Sequence, residues 1–270
     1  MRQFARSRVT VDGQHHTQLF PRWDSNRYEE AVVFQLRTIY RRFTGSLVID
    51  SLRHSVTVIP YHDPTSLNAS AGASRAPGLT DEQRRHWARR HSQTGSWVNH
   101  TTRDRTGLGL GASTWVNYTP GMFMRGNRAF HADLAGFPQT PAGMRADEAL
   151  LHEMVHALRQ TMGLNSRRPL SGSLAGYGRR SEYNAILIAN IYASESSRPI
   201  RDGHNGPGEA DDHNPTSREF LSQGENYTLV SEISAEMPEF TRELARAPAA
   251  FNPFRDYYRN LEGLDDITVN

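Results

Sequence analysis

The chain lacks two residue types altogether. It has no cysteine among its 270 residues, which excludes disulfides, cysteine nucleophiles and thiolate metal sites. A transition metal would have to be bound by histidine, carboxylate or water. It also has no lysine, so its 31 basic Lys and Arg residues are all arginine. A GC-rich genome is the simplest explanation. The alternative explanation is that selection removed lysine to prolong the lifetime of the protein in a eukaryotic cytosol, because ubiquitin attaches to the lysine amine.

Long apolar runs, signal-peptide features and net charge are also scarce in this chain. No apolar run approaches the length needed to cross a membrane. The first residues are basic but contain no apolar core and no small-residue cleavage site, so we expect no signal peptide. The formal net charge is only +2 despite a pI of about 9.0, and we therefore expect no nucleic-acid partner.

The hydrophobic pattern predicts an α+β protein. We expect helices over residues 28–42, 146–162, 182–194 and 229–244, and strands over residues 46–50, 55–60 and 113–118. Residues 1–25 are predicted to form an irregular N-terminal arm, residues 26–205 the main domain, and residues 206–270 a C-terminal helical extension. The strands are expected to form a small mixed sheet beside the helix over residues 146–162.

The candidate chemistry lies in the sequence HEMVH. His152 and His156 are four residues apart on a predicted helix, so their imidazoles share one face. Such a pair can bind one zinc ion, and Glu153 is then placed as the general base that takes a proton from the attacking water. The other positions of this helix are apolar, as expected of a buried active-site helix. The alternative is a core helix whose histidines are structural.

A zinc site needs a third protein ligand. The histidine continuation HxxGxxH is absent after His156, which argues against that class of zinc peptidase. A carboxylate on a second helix is the remaining common solution, and we expect Glu182. Glu195, Asp202 and His204 are close enough in sequence to compete.

Two separated stretches, HEMVHALRQTMG and SEYNAILIANIYASESSRPIR, resemble the NleD-like effector zinc metallopeptidases, including toxin domains of type VI secretion spikes. Upstream, GSLVIDSLRHSVTVIP is similar to paired strands of that family, and GLGLGASTWVNYTP is similar to its glycine-led strand that ends in Asn, Tyr and Pro. The resemblance covers about residues 28–204. The second stretch matches a family pattern at Glu182, Ala185, Asn190, Glu195, Pro199 and Arg201.

The resemblance implies a zincin-like fold, one Zn²⁺ ion, and delivery by a bacterial secretion system without a signal peptide. It implies cleavage of a protein in a recipient cell, in the cytosol or the periplasm, with an immunity protein or a secretion-machine component as further partners. Where a tyrosine is expected after Pro-x-Arg, this chain has His204, which we expect either to donate to the oxyanion or to be an exposed loop residue.

We expect an extended peptide substrate to pair with an edge strand formed by Trp115, Val116, Asn117 and Tyr118. The sequence therefore predicts a secreted zinc endopeptidase. Two alternatives remain at this point: a zinc hydrolase acting on a cell-wall amide, and a non-catalytic binding module.

Overall fold

A computed structural model describes residues 1–14, 24–60, 70–73, 111, 113–120, 142–143, 145–166, 168–201, 203 and 215–263. The first strands are β1 (Arg2–Gln3) and β2 (Val9–Val11). The side chains of Val9 and Val11 are fully buried. The prediction of an irregular arm was therefore wrong for these residues, which belong to the sheet.

Helix α1 (Ser25–Tyr40) begins at Asp24, whose side chain accepts a hydrogen bond from the backbone N–H of Arg27. This is the usual way of satisfying an unpaired donor at a helix start. Val32, Leu36 and Ile39 are fully buried on one face of the helix. The helix predicted over residues 28–42 is therefore confirmed.

Helix α2 (Phe43–Asp50) replaces the strand predicted over residues 46–50. A short apolar run such as this does not by itself distinguish strand from helix. Two features of the fold favour the helix. The carboxylate of Glu195 accepts from the backbone N–H groups of Phe43 and Thr44, at 2.6 and 3.0 Å. A Cβ at Gly45 would lie 2.1 Å from the carbonyl oxygen of Ile39, so only glycine permits this tight turn between the helices.

The remaining strands are β3 (Val56–Ile59), β4 (Ser70–Ala73) and β5 (Thr114–Asn117). The five strands are ordered β1-β2-β3-β5-β4. The β2–β3 and β3–β5 pairs are parallel, whereas β1–β2 and β4–β5 are antiparallel. The sheet is therefore mixed, as predicted.

Two long helices follow, α3 (Ala146–Thr161) and α4 (Arg180–Glu195), with a 3-10 helix (Gly172–Tyr177) between them. Both long helices were predicted. Helix α3 packs against β4, β5 and the helices α1, α2 and α4, and this central position explains why nearly all of its residues are buried.

The C-terminal part is helical, as predicted, with α5 (Ser217–Ser222), α6 (Asn226–Glu236), α7 (Pro238–Leu244) and α8 (Pro253–Leu261). The single helix expected over residues 229–244 is divided at Met237, because Pro238 starts a new helix and cannot donate a backbone hydrogen bond. Apolar residues of these helices join one continuous core with those of the sheet, α3 and α4. The domain boundary near residue 205 stays a prediction. Among the described residues, no helix is both long and apolar enough to cross a membrane.

Candidate metal centre

Helix α3 carries the two histidines on a buried stretch. His152, Glu153 and His156 are each buried, between fully buried apolar neighbours such as Leu151 and Val155. The Nε2 atoms of His152 and His156 lie 3.2 Å apart, and their ring centroids are 4.8 Å apart. The spacing of four residues thus places both imidazole nitrogens at one point, as the sequence predicted.

Helix α4 brings a carboxylate to the same point. Glu182, in the first turn of α4, places its Oε2 atom 3.2 Å from Nε2 of His152 and 3.1 Å from Nε2 of His156. Within the described part of the chain, these three residues are the group whose ligand atoms could hold a metal ion, all within 4.8 Å of one another. The residue chosen from sequence as third ligand is therefore the one that the fold brings to the histidines.

The distances fit a zinc ion. In a tetrahedral site with bonds of about 2.0 to 2.1 Å, ligand atoms lie about 3.3 Å from one another. The three separations here are 3.1 to 3.2 Å. Two imidazoles and one carboxylate are also a donor set that zinc accepts in catalytic sites, where the fourth position stays open.

The electrostatics favour the charge state that a metal requires in two of the three residues, His152 and Glu182. Burial lowers the pKa of His152 to about 4, so its ring is neutral near pH 7. Burial raises the pKa of Glu182, but hydrogen bonds from His152 and His156 outweigh it and hold the pKa well below its usual range. Burial also disfavours a charged His156, yet the bond to Glu182 and the charges of Glu153 and Glu182 raise its pKa overall. His156 is therefore the member of the set that most readily holds a proton.

Glu153 is buried next to this group. Its negative charge is one of the influences that raise the pKa of His156 and oppose the lowering of the pKa of Arg201. The carboxylate thus lies among the groups of the site.

Glu195, which the sequence analysis considered as a metal ligand, instead caps helix α2. Its carboxylate binds the first two backbone N–H groups of α2, at the opposite end of α4 from Glu182. A continuous helix of thirteen residues rises about 20 Å, so the two glutamates cannot reach one ion. Glu195 is not a ligand. His204 and Asp202 lie outside the described residues.

The prediction that residues 115–118 form an edge strand was wrong, whereas their contact with a substrate stays a prediction. Strand β5 pairs with β3 on one side and with β4 on the other, so its backbone groups are already used. Tyr118 is 1% exposed. Its hydroxyl donates to the carbonyl of Ala146 (3.0 Å), and its own carbonyl accepts from the hydroxyl of Tyr28 (2.8 Å). Val116 is fully buried, Asn117 is partly buried, and the side chain of Trp115 is 46% exposed on a face of the sheet. The outermost strand on this side, among the described residues, is β4.

Arg201 was given no role by the sequence analysis beyond its place in the resemblance. Its backbone is fixed by Asn190 of α4, which exchanges two hydrogen bonds of 2.9 Å with the N–H and carbonyl of Arg201. Burial lowers the pKa of Arg201, against the charges of Glu148, Glu182 and Glu153. A Cβ at Gly143 would lie 1.9 Å from Cδ of Arg201. The guanidinium is therefore held near the acidic groups of the site.

An acidic pair before the histidines was also missed. Arg198 donates to Asp147 (2.7 Å) and Glu148 (3.1 Å), and the hydroxyl of Tyr192 donates to Asp147 (2.7 Å). Burial and the charge of Asp147 raise the pKa of Glu148. These bonds join the start of α3 to the end of α4. The only signal for this acidic pair in the sequence is that Glu148 lies one helical turn before His152.

Comparisons with protein-family models, curated proteins and solved structures find no match for this chain.

Proposed function

We propose that the protein is a zinc-dependent endopeptidase. The observation that supports this most is the convergence of His152, His156 and Glu182, with ligand atoms 3.1 to 3.2 Å apart on two buried helices. These three residues would hold the ion. When bound, zinc acidifies water and polarises a carbonyl group.

In this proposal Glu153 moves the proton. It follows His152 directly and is buried beside the ligands, so it takes a proton from the attacking water and returns it to the amine that leaves. Arg201 adds a positive charge among the same acidic groups, suited to an oxygen that becomes negative during the reaction.

The substrate is proposed to be an extended polypeptide that adds to β4. This strand is the outermost one on its side of the described sheet and is antiparallel to β5. It also packs on α3, the helix with the metal ligands. A strand added here gains backbone hydrogen bonds close to the site, which is a general way of binding peptides.

The proposed biological setting is based on the resemblance of HEMVHALRQTMG and the α4 region to NleD-like effectors. We propose that a bacterial secretion system delivers the protein, and that it cleaves a protein of the recipient cell. The absence of lysine agrees with action in a eukaryotic cytosol.

The test is metal content and proteolysis of the purified chain. We expect about one zinc per molecule, and Glu153→Gln should keep the ion while turnover falls by at least about a hundredfold, since it removes the general base. Glu239→Gln changes an exposed residue of α7 and serves as the matched control.

Expression of wild type and Glu153→Gln in a recipient cytosol and periplasm then identifies cleaved proteins. A chain that binds no zinc would contradict the proposal and leave a binding module. Cleavage of peptidoglycan peptides without cleavage of any protein would make it a cell-wall amide hydrolase.

A further inference from the structure

One carboxylate of the C-terminal helices contacts both helices of the metal site. Glu236, the last residue of α6, has a side chain that is 6% exposed. Its Oε2 accepts from Nη2 of Arg159 on α3 at 2.6 Å, and its Oε1 accepts from Nη2 of Arg180 on α4 at 2.9 Å. Each oxygen of the carboxylate therefore accepts a hydrogen bond from a different helix.

The two arginines lie close to the ligands along the chain. Arg159 comes three residues after His156, and Arg180 two residues before Glu182. At 1.5 Å per residue these offsets are about 4.5 and 3 Å along each helix axis. The distance between the arginines therefore constrains the distance between His156 and Glu182.

Burial makes the ion pair between Arg159 and Glu236 necessary, because a buried charge without a partner is costly. Arg159 is fully buried; burial lowers the pKa of its guanidinium, and the charge of Glu236 counteracts this. The same guanidinium donates to the carbonyl of Leu164 at 2.7 Å and to Sδ of Met237 at 3.4 Å. A charge enclosed in this way is oriented by its partners and has little freedom to move.

A second contact of the same segment supports this arrangement. The hydroxyl of Tyr183, the residue next to Glu182, donates to Oδ1 of Asn226 at the start of α6 (2.9 Å), and the bond is buried. Both ends of α6 are thus bonded to the first turn of α4.

We propose that Glu236 is a positioning residue of the metal centre, and that the C-terminal helices are part of its scaffold. This inference rests on the proposed metal-binding function. Glu236 does not touch the ion; it acts by setting the separation of the helices that carry His156 and Glu182.

The experiment uses the full chain, with Zn²⁺ and Co²⁺ as probes. Glu236→Gln keeps the shape of the side chain but removes its charge. The double variant Arg159→Met/Glu236→Leu removes the bond between α3 and α6 without leaving either charge unpaired, and Arg180 keeps its ion pair with Glu232 (3.0 Å). The matched control is Glu243→Gln, a residue of α7 that forms an exposed ion pair with Arg246.

We expect both Glu236 variants to fold and to bind Zn²⁺ about 10- to 100-fold more weakly, the range measured when groups that orient ligands are lost. The visible spectrum of bound Co²⁺ should change, since it reports ligand geometry, and kcat should fall more than KM rises. Glu243→Gln should match wild type in all three.

Wild-type affinity and an unchanged Co²⁺ spectrum in both variants would overturn the positioning role while leaving the metal site intact. If neither variant folds, the ion pair serves stability alone, which would also overturn the positioning role. A wild-type chain that binds neither ion would remove the proposed function and this inference together.

Discussion

At the scale of single residues, two glutamates of α4 have separate functions. Glu182 lies within 3.2 Å of both histidines, whereas Glu195 binds the N-terminus of α2. Both residues belong to the pattern that carries the family resemblance. The pattern alone does not distinguish a ligand from a helix cap.

We expect Glu182→Ala to lose zinc, with affinity reduced by more than the roughly 100-fold typical of a residue that only orients a ligand. Glu195→Ala should bind zinc like wild type but lower the free energy of unfolding by about 1 to 2 kcal/mol, because α2 loses its cap. Zinc titration and urea unfolding of both variants measure this. Tight binding by Glu182→Ala would exclude it as a ligand.

Arg201 gives a second prediction. Arg201→Ala should lower kcat by about 10²- to 10³-fold, the usual effect of removing a donor to a developing negative charge, while zinc content stays at wild-type level. Asn190 binds only the backbone of Arg201, so the main chain should stay in place. Arg201→Lys should recover part of the rate. Full turnover by Arg201→Ala would show that this guanidinium is structural, and exposed Arg246→Ala controls for loss of charge.

Local spacing explains which site residues the sequence could predict. Two histidines that are four residues apart come together whenever the segment is helical, and the HEMVH segment was predicted to be helical. Glu182 required the further assumption that α4 packs on α3, which its position at the start of an apolar helix favoured. Arg201 and Glu148 could not be assigned, because their places depend on contacts with Asn190, Gly143 and Arg198 that no short spacing encodes.

At the scale of elements, the type of each long helix and of β3 and β5 followed from periodicity, but strand order did not. Strand β5 was expected at an edge, and it lies between β3 and β4. Strand order is set by pairing between distant segments, and β4, a run of Ser, Ala and Gly, has none of the β-branched residues that signal a strand. The β-branched residues of α2 had the opposite effect, because they predicted a strand where the structure has a helix.

Strand addition to β4 can be tested with proline. Successive N–H groups of a strand point to opposite edges, so of the neighbours Ala71 and Gly72 one N–H faces β5 and the other faces outward. We expect one of Ala71→Pro and Gly72→Pro to weaken the sheet. The other should fold normally and raise KM for a peptide substrate, because only the outer donor is lost. Thermal unfolding and steady-state kinetics separate the two. If the variant that folds normally has an unchanged KM, the substrate does not add to β4.

At the scale of the whole molecule, the absence of lysine predicts a long lifetime where ubiquitin is present. Arg37, Arg41 and Arg246 are exposed, and changing them to lysine preserves the net charge while adding amines. We expect the triple variant to have a shorter half-life in a eukaryotic cytosol and the wild-type half-life in a bacterial cytosol, which lacks ubiquitin. Pulse-chase measurement in both hosts tests this, and equal half-lives in the eukaryotic cytosol would remove the selection argument.

The cap on α2 also determines when this region can fold during synthesis. Helix α2 has eight residues, too few to persist alone in water, and its cap at Glu195 is made 152 residues after Phe43. At about 5 to 20 residues per second, a ribosome needs roughly 8 to 30 s to make the intervening chain. The nascent N-terminal region must wait for that time without a stable α2, exposed to chaperones and proteases, before it can join α3 and α4.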